Sequence, residues 1–158
     1  MSVRTIEKTV DVAAPPERVW DVLLDDVTYR QWTEAFMEGS YAETDWREGS
    51  AVRFLGPERS GMLGRVVTSR RPEVVSVEME GLVDEGRDDT TSETARAYRG
   101  ARETYRLSAT STGTRLDVSA PMGDEHYDAM VVAWDDALER VRRLAEDVDA
   151  AAPGPTGR

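Results

Sequence analysis

The stretch that decides the fold is Val10 to Leu24, V-D-V-A-A-P-P-E-R-V-W-D-V-L-L. Its apolar residues first alternate, at Val10 and Val12, and then recur at helical spacing, at Val19, Val22 and Leu23. Alternation places Val10 and Val12 on one face of a strand, and the wider spacing places the later set on one face of a helix. Pro15 and Pro16 stand where the period changes. Proline suits a first helical turn, because its missing N–H has no intrahelical partner there and its φ is already helical. A strand therefore runs straight into a helix of about Pro16 to Leu24, which ends at the Asp25-Asp26 pair.

Towards the N-terminus, Ile6 and Lys8 continue the Val10 and Val12 face, with Lys8 as its one polar member. A lysine stem in that position snorkels towards an edge. Towards the C-terminus, a short second helix around Thr28 to Phe36 carries Trp32. From Ser40 onward, short extended runs alternate with glycine and proline, the pattern of antiparallel strands joined by turns. Val52 and Phe54 alternate before Gly56-Pro57, Met62, Gly64 and Val66 before Arg71-Pro72, and Val75, Val77 and Met79 follow. Glu103, Tyr105, Leu107 and Ala109 form another face, and Leu116, Val118, Ala120 and Met122 one more. With the first strand and a weak Ser40 to Thr44 segment, the count is about seven strands, with six as the lower count.

The stretch 84–100, D-E-G-R-D-D-T-T-S-E-T-A-R-A-Y-R-G, reads as too polar to add to a core and too long for a hairpin. It is expected to be a lid or a mobile connection. A final helix opens near Gly123-Asp124, with Asp124 as its expected cap. Tyr127, Met130, Trp134, Leu138, Val141, Ala145 and Val148 recur every three or four residues and form one apolar stripe. Asp128, Asp135, Asp136, Glu139, Arg142 and Arg143 occupy the solvated face. One helix pair, an antiparallel sheet and a long helix across it make an α+β domain. The expected boundaries are a single domain over 1–149 and a disordered tail over 150–158.

Composition narrows the function. The chain of 158 residues has no cysteine, which excludes thiolate nucleophiles, disulfides and Cys-ligated metals. Its net charge of −11 opposes binding to phosphate backbones and anionic lipids. No nucleic-acid partner, membrane span, metal or cofactor is expected. No apolar run approaches the ~20 residues of a membrane span, M-S-V-R-T-I-E-K has no apolar signal core, and a cytoplasmic protein is the expectation. Lys8 is the only lysine, Gln31 the only glutamine, and asparagine is absent, a bias towards GC-rich codons that says nothing of activity.

The patterns G-x-S-x-G, G-x-G-x-x-G, G-x-x-x-x-G-K-[ST] and H-E-x-x-H are all missing, and the sole histidine, His126, is read as a surface or capping residue. Glu103 shares a strand face with Tyr105 and Leu107. A carboxylate facing a cavity there has a raised pKa and can orient a ligand or exchange a proton. The alternative is a salt bridge at the sheet end, to Arg53 or Arg65. Trp32, Phe36, Trp46, Phe54, Met62, Met79, Tyr105, Tyr127, Met130 and Trp134 are candidates to line a pocket of roughly 300–1,000 Å³. A packed core is the alternative use of the same side chains.

Several segments together carry a family resemblance: I-E-K-T-V-D-V-A-A-P-P-E-R-V-W-D-V-L, Trp32, E-G-S, W-R-E-G-S, G-M-L-G-R-V, R-E-T-Y-R-L and A-W-D-D-A-L-E-R-V. Over about residues 3–148 the chain resembles the SRPBCC superfamily of START-like, helix-grip domains, and within it the bacterial branch named after the activator of the heat-shock chaperone ATPase. The resemblance implies a curved antiparallel sheet gripping the C-terminal helix, two small helices near the N-terminus, and a cavity between sheet and helix. It implies ligands such as lipids, hormones or polyketide-like molecules, and for some members cyclisation or dehydration. It transfers no catalytic residue.

Three functions follow as expectations. The first is binding of a small hydrophobic or aromatic ligand, with Glu103 as polar anchor among the aromatic and methionine side chains. The second is a polyketide cyclase or dehydratase-like enzyme using Glu103 or Tyr105, less favoured than a non-enzymatic role. The third is a chaperone-associated or stress-response interaction protein. A homodimer is left open.

Overall fold

A computed structural model describes residues 2–147 of the chain. Strand β1 (Val3–Val12) passes through Pro15 into helix α1 (Pro16–Leu24), at the junction the change of period marks. Val19 and Leu23 are fully buried on its inner face, with Val22 and Trp20 beside them. Asp25 is extended (φ −65°, ψ 138°), so helix α2 (Asp26–Thr33) starts at once. It begins and ends earlier than the expected Thr28 to Phe36, the chain beyond Thr33 continuing as a turn through Phe36 and Met37.

The strands that follow are β2 (Tyr41–Glu43), β3 (Ala51–Leu55), β4 (Gly61–Arg70), β5 (Val74–Asp84), β6 (Arg87–Asp89), β7 (Arg102–Thr110) and β8 (Gly113–Gly123). Seven of them form one antiparallel path, β1-β8-β7-β5-β4-β3-β2, and the short β6 pairs with β5 off that path. The path curls as a half-barrel, with register shifts at Leu63/Gly64 and Val66/Thr68 where β4 meets β5. Such bulges bend a strand and increase its twist. Gly64 is needed at this bend: a Cβ there would lie 2.6 Å from Val77 Cγ1 and 3.4 Å from Met79 Sδ.

The stretch 84–100 contradicts the expectation that it adds nothing to a core. It forms β6 and a helix, α3 (Glu93–Tyr98), which Ser92 caps by accepting from the Ala95 N–H at 3.1 Å. Ala95 and Tyr98 are buried. The Gly123 N–H donates to the Tyr98 hydroxyl at 2.9 Å, and that hydroxyl points at Met122 Sδ, 3.7 Å away. The polar majority faces solvent while two apolar residues three apart on one helical face do the packing.

A 3-10 turn, Asp124–His126, leads into the last helix, α4 (Tyr127–Glu146). Asp124 does not cap it: the neighbouring Arg4 of β1 donates from Nε to the Asp124 carboxylate at 3.0 Å and holds it there. Trp134, Ala137, Leu138, Val141 and Ala145 form the buried stripe of α4. Arg18 of α1 donates to the Ala145 carbonyl at 3.2 Å, and Lys8 reaches Asp135 at 2.8 Å, so the polar intruder of β1 is a link to α4. On the outer face Arg142 pairs with Glu139 and Glu146, and Arg143 with Glu139. Val148 and the expected tail at 150–158 lie outside the described residues.

No helix among the described residues is long and apolar enough to cross a membrane. None of their His, Asp and Glu side chains gather in a group of three or more able to hold a metal.

Candidate functional site

The sheet curves away from α2 and α4 at the end where β3, β4 and β8 carry Phe54, Met62 and Met122, and a cavity of about 230 Å³ remains there. This is smaller than the expected 300–1,000 Å³, because Trp32 and Trp134 themselves fill much of the space. Trp32 is the hub of the wall: its ring centroid lies 5.2 Å from Tyr29, 6.1 Å from Phe36, 6.3 Å from Tyr105 and 6.1 Å from Trp134. Phe36 meets Trp134 edge-on at 4.8 Å. Trp32 is held in place because its indole N–H donates to the Leu23 carbonyl at 3.3 Å, which ties α2 to the end of α1.

Eight of the eleven residues singled out from the sequence line this cavity: Trp32, Phe36, Phe54, Met62, Glu103, Tyr105, Met130 and Trp134. Three do not. Met79 is fully buried in the core against the bend at Gly64. Trp46 packs behind the wall, 6.1 Å from Tyr29 and 6.3 Å from Phe54. Tyr127 packs half-buried at the edge of the core and off the cavity wall, where Arg4 stacks 3.6 Å from its ring centroid.

Among the residues the sequence reading passed over, Tyr29 is the most consequential. It sits one helical turn before Trp32, a spacing that places both on one face of α2. Met37, Ser40, Tyr41 and Ser60 also line the cavity, and Met37 is 57% exposed, which puts it where the cavity meets solvent.

One charged group is set in this apolar wall. Glu103 and Tyr105 point the same way from β7, two residues apart, and the Tyr105 hydroxyl donates to Glu103 Oε2 at 2.5 Å. Glu103 is half-buried, and the surface it keeps lies on the cavity wall. Burial pushes its carboxyl up to about 7, against the smaller, opposite effect of the Tyr105 hydrogen bond. Burial also raises the Tyr29 and Tyr105 phenols, and the charge of Glu103 raises both further. The Tyr29 hydroxyl makes no hydrogen bond to a described residue. Neither arginine considered as a partner for Glu103 reaches it: Arg53 pairs with Asp88 at 2.6 Å and Arg65 with Glu80 at 2.9 Å.

A curled antiparallel sheet closed by a C-terminal helix, with a lined cavity between them, defines a helix-grip domain of the SRPBCC type. The family described as Activator of Hsp90 ATPase homolog 1-like protein matches residues 13–146, and the chain belongs to that family. Solved structures share the fold at low identity. A protein from Mesorhizobium loti, MLL2253, is 16% identical with a TM-score of 0.66, covering 89% of this chain and 95% of its own. The Aha1 dimer from Colwellia psychrerythraea is 14% identical with a TM-score of 0.66, covering 91% and 97%. CalU16 from Micromonospora echinospora is 19% identical with a TM-score of 0.59, covering 97% and 77%. No curated protein matches the chain.

Proposed function

We propose that the protein binds a small aromatic or otherwise apolar molecule in the cavity between the sheet and α4. The observation that carries this reading is a wall of aromatic and methionine side chains interrupted by one carboxylate, Glu103. Apolar walls supply affinity through surface removed from water, and a single polar group fixes orientation. A cavity of about 230 Å³ suits a ligand of one or two rings, since an engineered cavity of ~150 Å³ accepts benzene.

A thermal-shift screen of one- and two-ring aromatics, followed by native mass spectrometry, tests the reading. Stabilisation by at least one compound, with a one-to-one mass shift, supports it. A null screen of the wild-type protein overturns it, as does a compound that binds a folded Met62→Trp variant, whose cavity is filled, as tightly as the wild type.

A second reading is favoured by the Glu103–Tyr105 pair. A carboxyl near 7 beside a phenol is poised to exchange a proton with bound substrate, as a cyclase or dehydratase requires. Turnover of the bound compound, lost in Glu103→Gln, distinguishes catalysis from binding. The chaperone reading has no equivalent support: among the described residues the exposed large apolar side chains are Val27, Met37 and Val132, on α2, in the turn after it and on α4.

A further inference from the structure

The charge of the cavity narrows the ligand class. The described residues on its wall include no lysine, arginine or histidine, so the Glu103 carboxylate has the Tyr105 hydroxyl as its only polar partner. The other titratable groups on the wall are the phenols Tyr29 on α2, Tyr41 on β2 and Tyr105 on β7; β3, β4, β8 and α4 present no ionisable group to it. We propose that the ligand is a small aromatic amine, its ammonium seated on the Glu103 carboxylate and its ring in the apolar space lined by Phe54, Met62, Met130 and Trp134. The proposal rests on the binding function above and specifies its chemistry.

Three physical effects act in the same direction. A carboxylate inside an apolar wall is poorly solvated, and an opposite charge at contact distance offsets that cost, whereas a ligand carboxylate adds repulsion in a weakly screening medium. A neutral hydroxyl can donate to Glu103 but leaves its charge uncompensated. The negative faces of Trp32, Tyr105 and Trp134, with centroids 6.1–6.3 Å apart, attract a cation as well as an aromatic ring. The net charge of −11 also draws cations towards the protein from solution. A long-chain fatty acid, by contrast, brings a second carboxylate and exceeds the space of about 230 Å³.

Three probes of similar shape separate these effects: phenethylamine, phenethyl alcohol and hydrocinnamate, titrated calorimetrically into the full chain. At neutral pH, phenethylamine is expected to bind about tenfold tighter than the alcohol, as one well-placed charge pair in a partly dry site allows. Hydrocinnamate is expected not to bind. The amine's affinity in the wild-type protein rises as pH is raised from 5 to 8, through the titration of Glu103 near 7, while the alcohol's does not. This measurement needs no substitution and stands if a variant fails to fold.

Glu103→Gln, folded by circular dichroism, abolishes the preference for the amine. The proposal is overturned if the alcohol or hydrocinnamate binds as tightly as the amine, if the amine's affinity is flat with pH, or if Glu103→Gln keeps the preference. Binding of the alcohol without the amine overturns this proposal and leaves the aromatic-binding function standing. Failure of all three probes and of the aromatic screen removes both.

Discussion

Glu103 and Tyr105 project from one face of β7 into the same cavity, joined by a 2.5 Å hydrogen bond in which the phenol donates to the carboxylate. Each partner constrains the other. Burial favours the neutral form of Glu103, and the phenol supports its charged form by donating to it.

The first consequence is a pH dependence of stability. The Glu103 carboxyl is raised from its ordinary 4.5 to about 7 in the folded protein. Below pH 4.5 both states hold the proton; between 4.5 and 7 the unfolded chain releases it first, so stability falls as pH rises, and above 7 the full penalty remains. The penalty is about 3 kcal/mol by linkage, an upper value because the site can relax. Chemical denaturation of Glu103→Gln should therefore show a smaller loss of stability from pH 5 to pH 8 than wild type. The carboxylates whose pKa is lowered by partners, such as Asp88 by Arg53 and Asp117 by Thr9, lose their contribution at lower pH and leave this window clear.

Tyr105→Phe should move the same titration further up. Without the phenol, Glu103 keeps its desolvation and loses its one polar partner, so its carboxyl ionises at a higher pH than the wild-type value near 7. Carbon-detected NMR of the Glu103 side-chain carboxyl reads the midpoint directly. A downward shift would mean that the hydroxyl does not support the ionised form.

Met62 provides a way to close the cavity without touching the carboxylate. It lies on β4 opposite Phe54 of β3 and Leu82 of β5, with its side chain on the cavity wall. Met62→Trp puts a larger side chain into existing space, so its overpacking cost should stay within about 1–3 kcal/mol while ligand binding is lost. Calorimetric titration with the best compound of the screen, set beside a thermal melt, separates the two effects.

How much of this was legible in the sequence depends on how local each signal is. The β1–α1 junction is written in Pro15 and Pro16 and in a change of period within a few residues, and the α4 stripe repeats often enough to be read without a partner. Trp134 belongs to that repeat, and alternation along β7 puts Glu103 on the face of Tyr105, but it leaves a cavity-facing carboxylate and a salt bridge at the sheet end both open. Met79 was not separable from the true lining residues, because its place in the core depends on the missing side chain of Gly64 on the next strand. Trp46 escapes prediction differently: its backbone adopts φ 60°, outside any periodic element, so no pattern indicates where its ring points. Tyr127 belongs to the α4 stripe by spacing, yet it sits at the helix start, where Arg4 and the Thr5 carbonyl hold it off the cavity wall.

The stretch 84–100 was the largest misreading, and Tyr98 shows why. Its ring supplies one of only two buried side chains of α3, so hydropathy averaged over the segment hides it. Its hydroxyl satisfies the buried Gly123 N–H at 2.9 Å, which no local pattern can reveal because the partner lies 25 residues away. Tyr98→Phe keeps the ring and removes that acceptor, leaving a buried donor unpaired at a cost of about 1–3 kcal/mol. Because β8 carries Ala120 and Met122 on the cavity wall just before Gly123, the loss should also loosen the wall. Hydrogen exchange should then accelerate at Gly123 and along α3 more than in α1. Equal protection at Gly123 in the two proteins would show that water or a backbone shift replaces the lost acceptor, and that α3 is not held to β8 through Tyr98.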